Sequence, residues 1–133
     1  MLNYLDSVIL IYYLDHVGPF NVRASNWLAA LHAAGDRLAV SDLTKLECRV
    51  RPIRLCHAAA LARFDGFFAQ PDVQQVPLTG AVYDRATYIR AKYNVKTVDA
   101  IHLAAAIESG CDRFLTNDNR LAGLPDMVVE WLP

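Results

Sequence analysis

The chain has 133 residues, which is enough for one hydrophobic core and too few for two. A hydrophobic fraction of 54% and a charged fraction of 20% exclude intrinsic disorder. The 13 basic and 14 acidic residues leave a net charge of -1, which argues against a protein that coats nucleic acid through bulk positive charge. We therefore expect one domain, residues 1–133, in which any phosphate recognition is local.

Short strands and helices alternate along the first half of the chain. Apolar runs predict strands at Leu2–Leu5 and Arg37–Ser41. Ser7 is the predicted N-cap of a helix over 8–14, and a second helix spans 21–34. The predicted third helix is capped by Asp42 or Ser41, runs through Glu47 and pauses near Pro52, and a fourth spans 53–70.

The second half continues the alternation. We predict strands at 73–78, 113–116 and 127–131, a helix over 81–93 capped by Thr79, and an apolar helix that begins at Thr97 and ends at Gly110. Strand, helix and strand joined by short connections require right-handed crossovers. The predicted fold class is therefore α/β, with a mostly parallel central sheet of four to five strands covered by helices on both faces.

Four acidic residues occupy positions near the predicted carboxyl ends of strands or in the helices that follow them. They come from four distant segments: Asp6, Glu47, Asp99 and Asp118. Ligands of open parallel sheets bind beyond the carboxyl ends of the strands, so we expect these side chains to converge.

Each acid also has an ordinary structural explanation. Asp6 fits a helix cap, Glu47 fits a capping box with Thr44, and Asp118 fits a turn in TNDN. Asp99 is the hardest to explain in this way, because it opens the Ala-rich helix TVDAIHLAAA. Taken together, the four positions favour a site over four coincidences.

The same residues carry a family resemblance that spans nearly the whole chain. Asp6-Ser7 followed by VILIYYL, SDLTKLE with Glu47, TVDAIHLAAA with Asp99 and FLTND with Asp118 resemble the PIN domain, specifically the VapC-type toxin ribonucleases of bacterial toxin–antitoxin pairs. The resemblance implies a PIN-like three-layer α/β/α fold and a catalytic acidic quartet at these four positions. It also implies supporting roles for three neighbours of the quartet: Ser7, Thr116 and Asn117.

The chemistry of such a quartet is that of a metal site. Clustered carboxylates repel one another, so they either take up a proton or bind cations. Oxygen ligands favour Mg²⁺ or Mn²⁺ over zinc, and two such ions can activate water and stabilise the leaving oxygen of a phosphodiester. At the level of the resemblance, we expect Asp6 and Asp99 to be the central ligands, and Glu47 and Asp118 to complete the shell. The expected activity is Mg²⁺- or Mn²⁺-dependent hydrolysis of RNA.

Basic residues surround Glu47 in the sequence and suggest an RNA-binding rim: Lys45, Arg49, Arg51 and Arg54. A solvated helix face is the alternative explanation, with the RNA path then lying near Arg85, Arg90 and Lys92. His102 lies on the same helical side as Asp99 and is able to touch the site, but we favour a core histidine bonded to backbone.

The remaining expectations concern partners and location. The high apolar content favours self-association, and the resembled family dimerises and is inhibited by a small VapB-like antitoxin bound across its active-site groove. We therefore expect a homodimer, an antitoxin partner and an RNA substrate. Three cysteines without a C-x-x-C pair, the absence of a signal peptide and the lack of a long apolar run predict a cytoplasmic protein without a membrane span. The alternative function is a catalytically inactive PIN-like binding or assembly module.

Overall fold

The computed structural model describes residues 1–15 and 17–133. Within them, five strands form one sheet: β1 (Leu2–Leu5), β2 (Arg37–Ser41), β3 (Val73–Val76), β4 (Arg113–Thr116) and β5 (Val128–Trp131). The helices are α1 (Ser7–Asp15), α2 (Pro19–Ala33), α3 (Asp42–Arg54), α4 (Ala58–Phe68), α5 (Gly80–Tyr93) and α6 (Thr97–Glu108), and a short 3₁₀ turn covers Asn119–Leu121. The predicted α/β class is confirmed.

The sheet is parallel throughout and has the order β3-β2-β1-β4-β5. Tyr4 of β1 is in register with Ala39 of β2 on one side and with Phe114 of β4 on the other. The chain thus builds outward from β1 to β3, then returns to add β4 and β5 on the opposite side. This reversal opens a crevice beyond the carboxyl ends of β1 and β4, where open α/β sheets bind ligands.

Alternation along the strands divides the core into two layers. Tyr4 and Phe114 point to the layer under α5 and α6, where their rings stack with centroids 5.6 Å apart. Leu5 and Leu115 point to the opposite layer, which α1, α2 and α4 cover. The buried alanines of α6 let that helix lie close against the sheet. Its N-terminus is thereby held near the carboxyl edge of β1.

The prediction of a single helix over 53–70 is wrong, as is the pause near Pro52. Helix α3 runs through Pro52 to Arg54, and α4 begins at Ala58. Proline removes only one hydrogen bond donor near the end of the helix, so α3 continues for two more residues. Cys56 then adopts φ 50°, and the His57 side chain caps α4 by accepting a bond from the Ala60 N–H. This break carries no glycine or common capping residue to mark it.

Other boundaries differ by a few residues. Helix α2 begins at Pro19, because proline suits the first helical turn, and not at residue 21. Strand β3 ends at Val76, two residues short of the prediction. Thr79 is confirmed as the cap of α5, since its hydroxyl accepts from the Val82 N–H at 3.3 Å.

Candidate active site

A cleft of about 760 Å³ lies beyond the carboxyl ends of β1 and β4. All four predicted acids line it: Asp6, Glu47, Asp99 and Asp118. They arrive from the end of β1, the second turn of α3, the first turn of α6 and the turn after β4. The expected convergence follows from the sheet order, which makes these four segments neighbours at one edge.

Asp6 is the most buried of the four, with 9% of its surface exposed. Its backbone N–H donates to the Leu115 carbonyl at 2.9 Å, which ties the end of β1 to β4. Burial raises the pKa of Asp6; a 2.6 Å hydrogen bond from the Thr116 hydroxyl opposes this, and the negative charges of Asp99 and Glu47 add to it. The Asp6 charge is therefore poorly compensated in the metal-free protein.

Asp99 is half-buried in the first turn of α6, where the helix dipole favours an anion. Burial raises its pKa, and the nearby charge of Asp118 raises it further. Asp6 and Asp99 are thus the two acids of the cleft whose ionised forms the protein disfavours. Such a pair gains most from a bound cation.

Glu47 is held by two hydrogen bonds that end on the same oxygen. The Ser7 hydroxyl donates to Oε1 at 2.7 Å, and His102 Nε2 bonds to Oε1 as well. Burial raises the pKa of Glu47, but the bonds from His102 and Ser7 outweigh it and leave the pKa below its ordinary value. The Ser7 hydroxyl therefore faces the site, and the prediction that it caps α1 is wrong, because α1 begins at Ser7 itself.

Two further expectations around Glu47 are corrected. Thr44 does not form a capping box with Glu47; it pairs with Ser41, whose N–H donates to Thr44 Oγ1 at 3.1 Å. His102 is fully buried, but its ring bonds to the Tyr4 hydroxyl and Glu47 where we favoured a backbone partner. The sequence signal for the contact of His102 with the site was its position three residues after Asp99, on the same side of the helix. The Tyr4 contact had no such signal, because Tyr4 reads only as a strand residue.

Asp118 is bound by a basic side chain that the sequence did not single out. Arg120 donates to both Asp118 oxygens, at 2.9 and 2.6 Å, and these bonds hold the pKa of Asp118 below its ordinary value. Asp118 also accepts from the Arg120 N–H, so the expected turn role exists beside the position in the cleft. Asn117 is exposed and donates to the Tyr12 hydroxyl at 3.2 Å.

The donor chemistry of this cleft fits a hard divalent cation. The acids, with Ser7 and Asn117, present oxygen ligands, and Asp6 and Asp99 carry charge that a cation would neutralise. Among the described residues, however, no three His, Cys, Asp or Glu side chains already have the arrangement of a metal site. Glu47 is held by His102 and Asp118 by Arg120. The cleft thus supplies suitable ligands, and two of its carboxylates are bonded to nitrogen donors of the protein.

The predicted RNA-binding residues lie along α3, outside the cleft. Lys45 pairs with Asp42 at 3.5 Å and Arg49 with Asp65 at 3.2 Å. Arg51 and Arg54 are exposed in the last turn of α3. Among the described residues that line the acidic cleft, the basic one is Arg120.

Across residues 1–15 and 17–133, no helix combines the length and the apolar character needed to cross a lipid bilayer.

Comparison with known proteins identifies the family and the fold. The PIN domain family model matches residues 4–126, so the chain belongs to the PIN domain family. The fold is similar to VapBC2 from Rickettsia felis bound to a DNA fragment from their promoter, at 15% identity and TM-score 0.81 over 100% of each chain. No curated protein sequence matches the chain.

Two further solved structures have a similar fold. A toxin–antitoxin complex from Klebsiella pneumoniae matches at 24% identity and TM-score 0.72, over 95% of each chain. VapC20 of Mycobacterium tuberculosis, a toxin that cleaves the sarcin-ricin loop, matches at 17% identity and TM-score 0.68, over 84% of this chain and 86% of its own.

Proposed function

We propose that this chain, as one PIN domain over residues 1–133, is a metal-dependent endoribonuclease toxin of a toxin–antitoxin pair. The supporting observation is the cleft itself, in which acids from four distant segments meet at the edge of the sheet. Burial and mutual repulsion leave two of them, Asp6 and Asp99, with raised pKa values. Groups perturbed in this way in a cleft are typical of functional sites.

In the proposed reaction, Mg²⁺ or Mn²⁺ would supply an activated water and stabilise charge on the scissile phosphate. Asp6 and Asp99 bind the ions, and Thr116 fixes the orientation of Asp6 by its hydrogen bond to Oδ2. Glu47 completes the shell; both of its hydrogen bonds end on Oε1, so neither occupies Oε2. Hydrolysis of RNA consumes one water for each phosphodiester bond that breaks, and it leaves a phosphate on one new end and a hydroxyl on the other.

Asp118 would be available to a cation only with its ion pair to Arg120 open. The Arg120 side chain is exposed, so its guanidinium has room to turn outward. Once released, it lies beside the acidic centre, where an RNA phosphate would be bound. Arg120 thus belongs with the RNA-contacting residues in this proposal.

One observation favours the alternative of an inactive binding or assembly module. The described residues hold no preassembled group of three metal-binding side chains. An inactive module would leave RNA intact under every metal condition, which a cleavage assay tests directly.

We expect purified protein to cleave a mixed RNA pool only when Mg²⁺ or Mn²⁺ is present. Chelation by EDTA should stop cleavage and restored Mn²⁺ should recover it, because without cations the carboxylates repel the phosphates they must approach. Gel analysis of end-labelled RNA with time measures the reaction. Cleavage that persists in EDTA, or none with either ion, would contradict the proposal.

A second expectation concerns the basic residues of α3. If Arg51 and Arg54 grip RNA phosphates, replacing both with Ala should weaken binding and lower the salt slope by roughly one unit per lost contact. Metal affinity and cleavage at saturating RNA should change little, since these side chains contribute uniform binding. Filter binding at several salt concentrations measures the slope, with Arg85→Ala/Arg90→Ala as the matched pair on α5. If only the Arg85→Ala/Arg90→Ala variant shows a reduced salt slope, RNA is bound along α5 and not along α3.

We propose a homodimer and a small antitoxin as protein partners. Two solved structures of similar fold are a VapBC complex and a toxin–antitoxin complex, which supports an antitoxin of the VapB type. Exposed apolar side chains follow one face of α3: Leu46, Val50 and Ile53. A face of this kind favours association. The unpaired cysteines among the described residues suit a cytoplasmic location, which we also propose.

The purified chain should therefore have a mass in solution of twice the 14.8 kDa of one copy. Light scattering over a range of concentrations measures this. Ile53→Glu should favour the monomer if the exposed face of α3 joins the copies, because dimerisation would then bury an unpaired charge. A monomer at high micromolar concentration of the unmodified protein would contradict the dimer.

A further inference from the structure

We propose that Tyr4 and His102 are positioning residues, which hold the Glu47 carboxylate in the orientation that binds the metal. They do so through a buried chain of hydrogen bonds from Ser41 to Tyr4, to His102 and to Glu47. This inference rests on the proposed function, since it assigns Glu47 to the metal shell.

The four side chains form a continuous path through the interior. The Tyr4 hydroxyl lies 2.8 Å from Ser41 Oγ and 2.7 Å from His102 Nδ1, and His102 Nε2 bonds to Glu47 Oε1. Tyr4, Ser41 and His102 are each 0% exposed. Water therefore does not compete for these bonds, and each group depends on its protein partner.

With Glu47 ionised and the His102 ring neutral, the direction of every bond in the path is determined. An ionised Glu47 only accepts, so His102 donates through Nε2–H. The Nδ1 of a neutral ring then accepts, which requires the Tyr4 hydroxyl to donate to it. A tyrosine phenol carries its proton at neutral pH, so it is able to donate this bond. The Tyr4 hydroxyl has one proton and donates it to His102. The Ser41 hydroxyl must therefore be the donor in its bond to the Tyr4 oxygen.

This path links β1, α6 and the junction between β2 and α3. Tyr4 lies on β1, two residues before Asp6, and His102 lies on α6, one turn after Asp99. Ser41 ends β2 and is the N-cap of α3, the helix that carries Glu47. The path thus fixes a flexible, half-exposed glutamate relative to the two acids that are set rigidly by the fold. Hydrogen bonding to ligating carboxylates serves this purpose in metal sites.

Metal affinity measured on the full chain tests the inference. Calorimetric titration of metal-free protein with Mn²⁺ compares wild type with Tyr4→Phe, His102→Leu and His102→Gln. Phenylalanine keeps the ring stacked on Phe114 and removes only the hydroxyl. Glutamine keeps an N–H donor for Glu47, whereas leucine keeps none. Tyr13→Phe is the control, because it removes a tyrosine hydroxyl in the opposite core layer.

We expect His102→Leu to weaken Mn²⁺ binding about 10–100-fold, the usual effect of losing a partner of a ligating carboxylate. His102→Gln should recover most of that loss, and Tyr13→Phe should bind as wild type does. If His102 only filled space in the core, the Mn²⁺ affinities of His102→Gln and His102→Leu would not differ in this way. In metal-free wild type, the ¹⁵N NMR spectrum of the ring should show the proton on Nε2, and Tyr4→Phe should change the Nδ1 signal and weaken Mn²⁺ binding.

Equal Mn²⁺ affinity in wild type, Tyr4→Phe and His102→Leu would overturn the inference, as would a ring protonated on Nδ1 and not on Nε2. If His102→Leu does not fold, as judged by circular dichroism, Tyr4→Phe and the NMR spectrum still decide. A wild type that binds no Mn²⁺ and cleaves no RNA would instead overturn the proposed function. The ring spectrum of the metal-free protein would then still establish or refute the hydrogen bond path.

Discussion

Replacing Asp99 by Asn should lower the rate of RNA cleavage at least about 1,000-fold, because a metal centre contributes several kcal/mol of transition-state stabilisation. The amide keeps the size and one oxygen of the side chain but loses the charge that holds the cation. Single-turnover cleavage at saturating RNA and Mn²⁺ measures the effect on the chemical step.

The control for this variant is Asp126→Asn, which makes the same chemical change at an exposed position outside the cleft. It should leave the rate unchanged. Asp99→Asn should also raise the melting temperature of the metal-free protein, since it removes repulsion with Asp118, Asp6 and Glu47. An active Asp99→Asn enzyme would refute the assignment of Asp99 as a ligand.

The second large effect is on stability. Mn²⁺ at about 100 times its dissociation constant should stabilise the folded state by roughly 2.7 kcal/mol, provided the unfolded chain does not bind it. For a domain of this size that corresponds to a rise of about 10 °C in melting temperature. Differential scanning calorimetry with and without Mn²⁺ measures the shift. The variant Asp6→Asn/Asp99→Asn should show none, and an equal shift in both proteins would refute the site.

The stability of the metal-free protein should also depend on pH, and the directions of the pKa shifts of the four acids set the sign of this dependence. The folded protein holds the pKa values of Asp6 and Asp99 above the ordinary value of 3.8, so it binds protons more readily than the unfolded chain. The metal-free protein should therefore gain stability as the pH falls from neutral toward these raised values. Glu47 and Asp118 have lowered pKa values, so their contribution is lost at more acidic pH. The expected result is a stability maximum at mildly acidic pH, absent in the double variant.

Much of the fold followed from the sequence because it depends on local patterns. Apolar runs bounded by turn residues predicted all five strands, and a threonine before an amphipathic run predicted the cap of α5. The break between α3 and α4 escaped prediction. It rests on the φ 50° of Cys56 and a capping His57, neither of which has a strong sequence signature.

The positions of the four acids were predictable for a related reason. In a parallel sheet every strand ends at the same edge, so residues at the strand ends must meet whatever the details of packing. That rule predicts Asp6, Glu47 and Asp118 at one edge, whereas Asp99 is predicted from its place in an Ala-rich helix and from the family resemblance.

Only the tertiary structure decided what binds each acid. Tyr4 and His102 are 98 residues apart and meet because β1 lies under α6. The Thr116 hydroxyl reaches Asp6 from 110 residues away, and Ser7 turns toward Glu47 and away from a capping role. By itself the sequence determined the layers, the edge and the acids, since these depend on local periodicity and strand direction. Whether two side chains from remote segments form a hydrogen bond depends on differences of a few tenths of an ångström in their separation. Only the packing of the folded chain sets these separations.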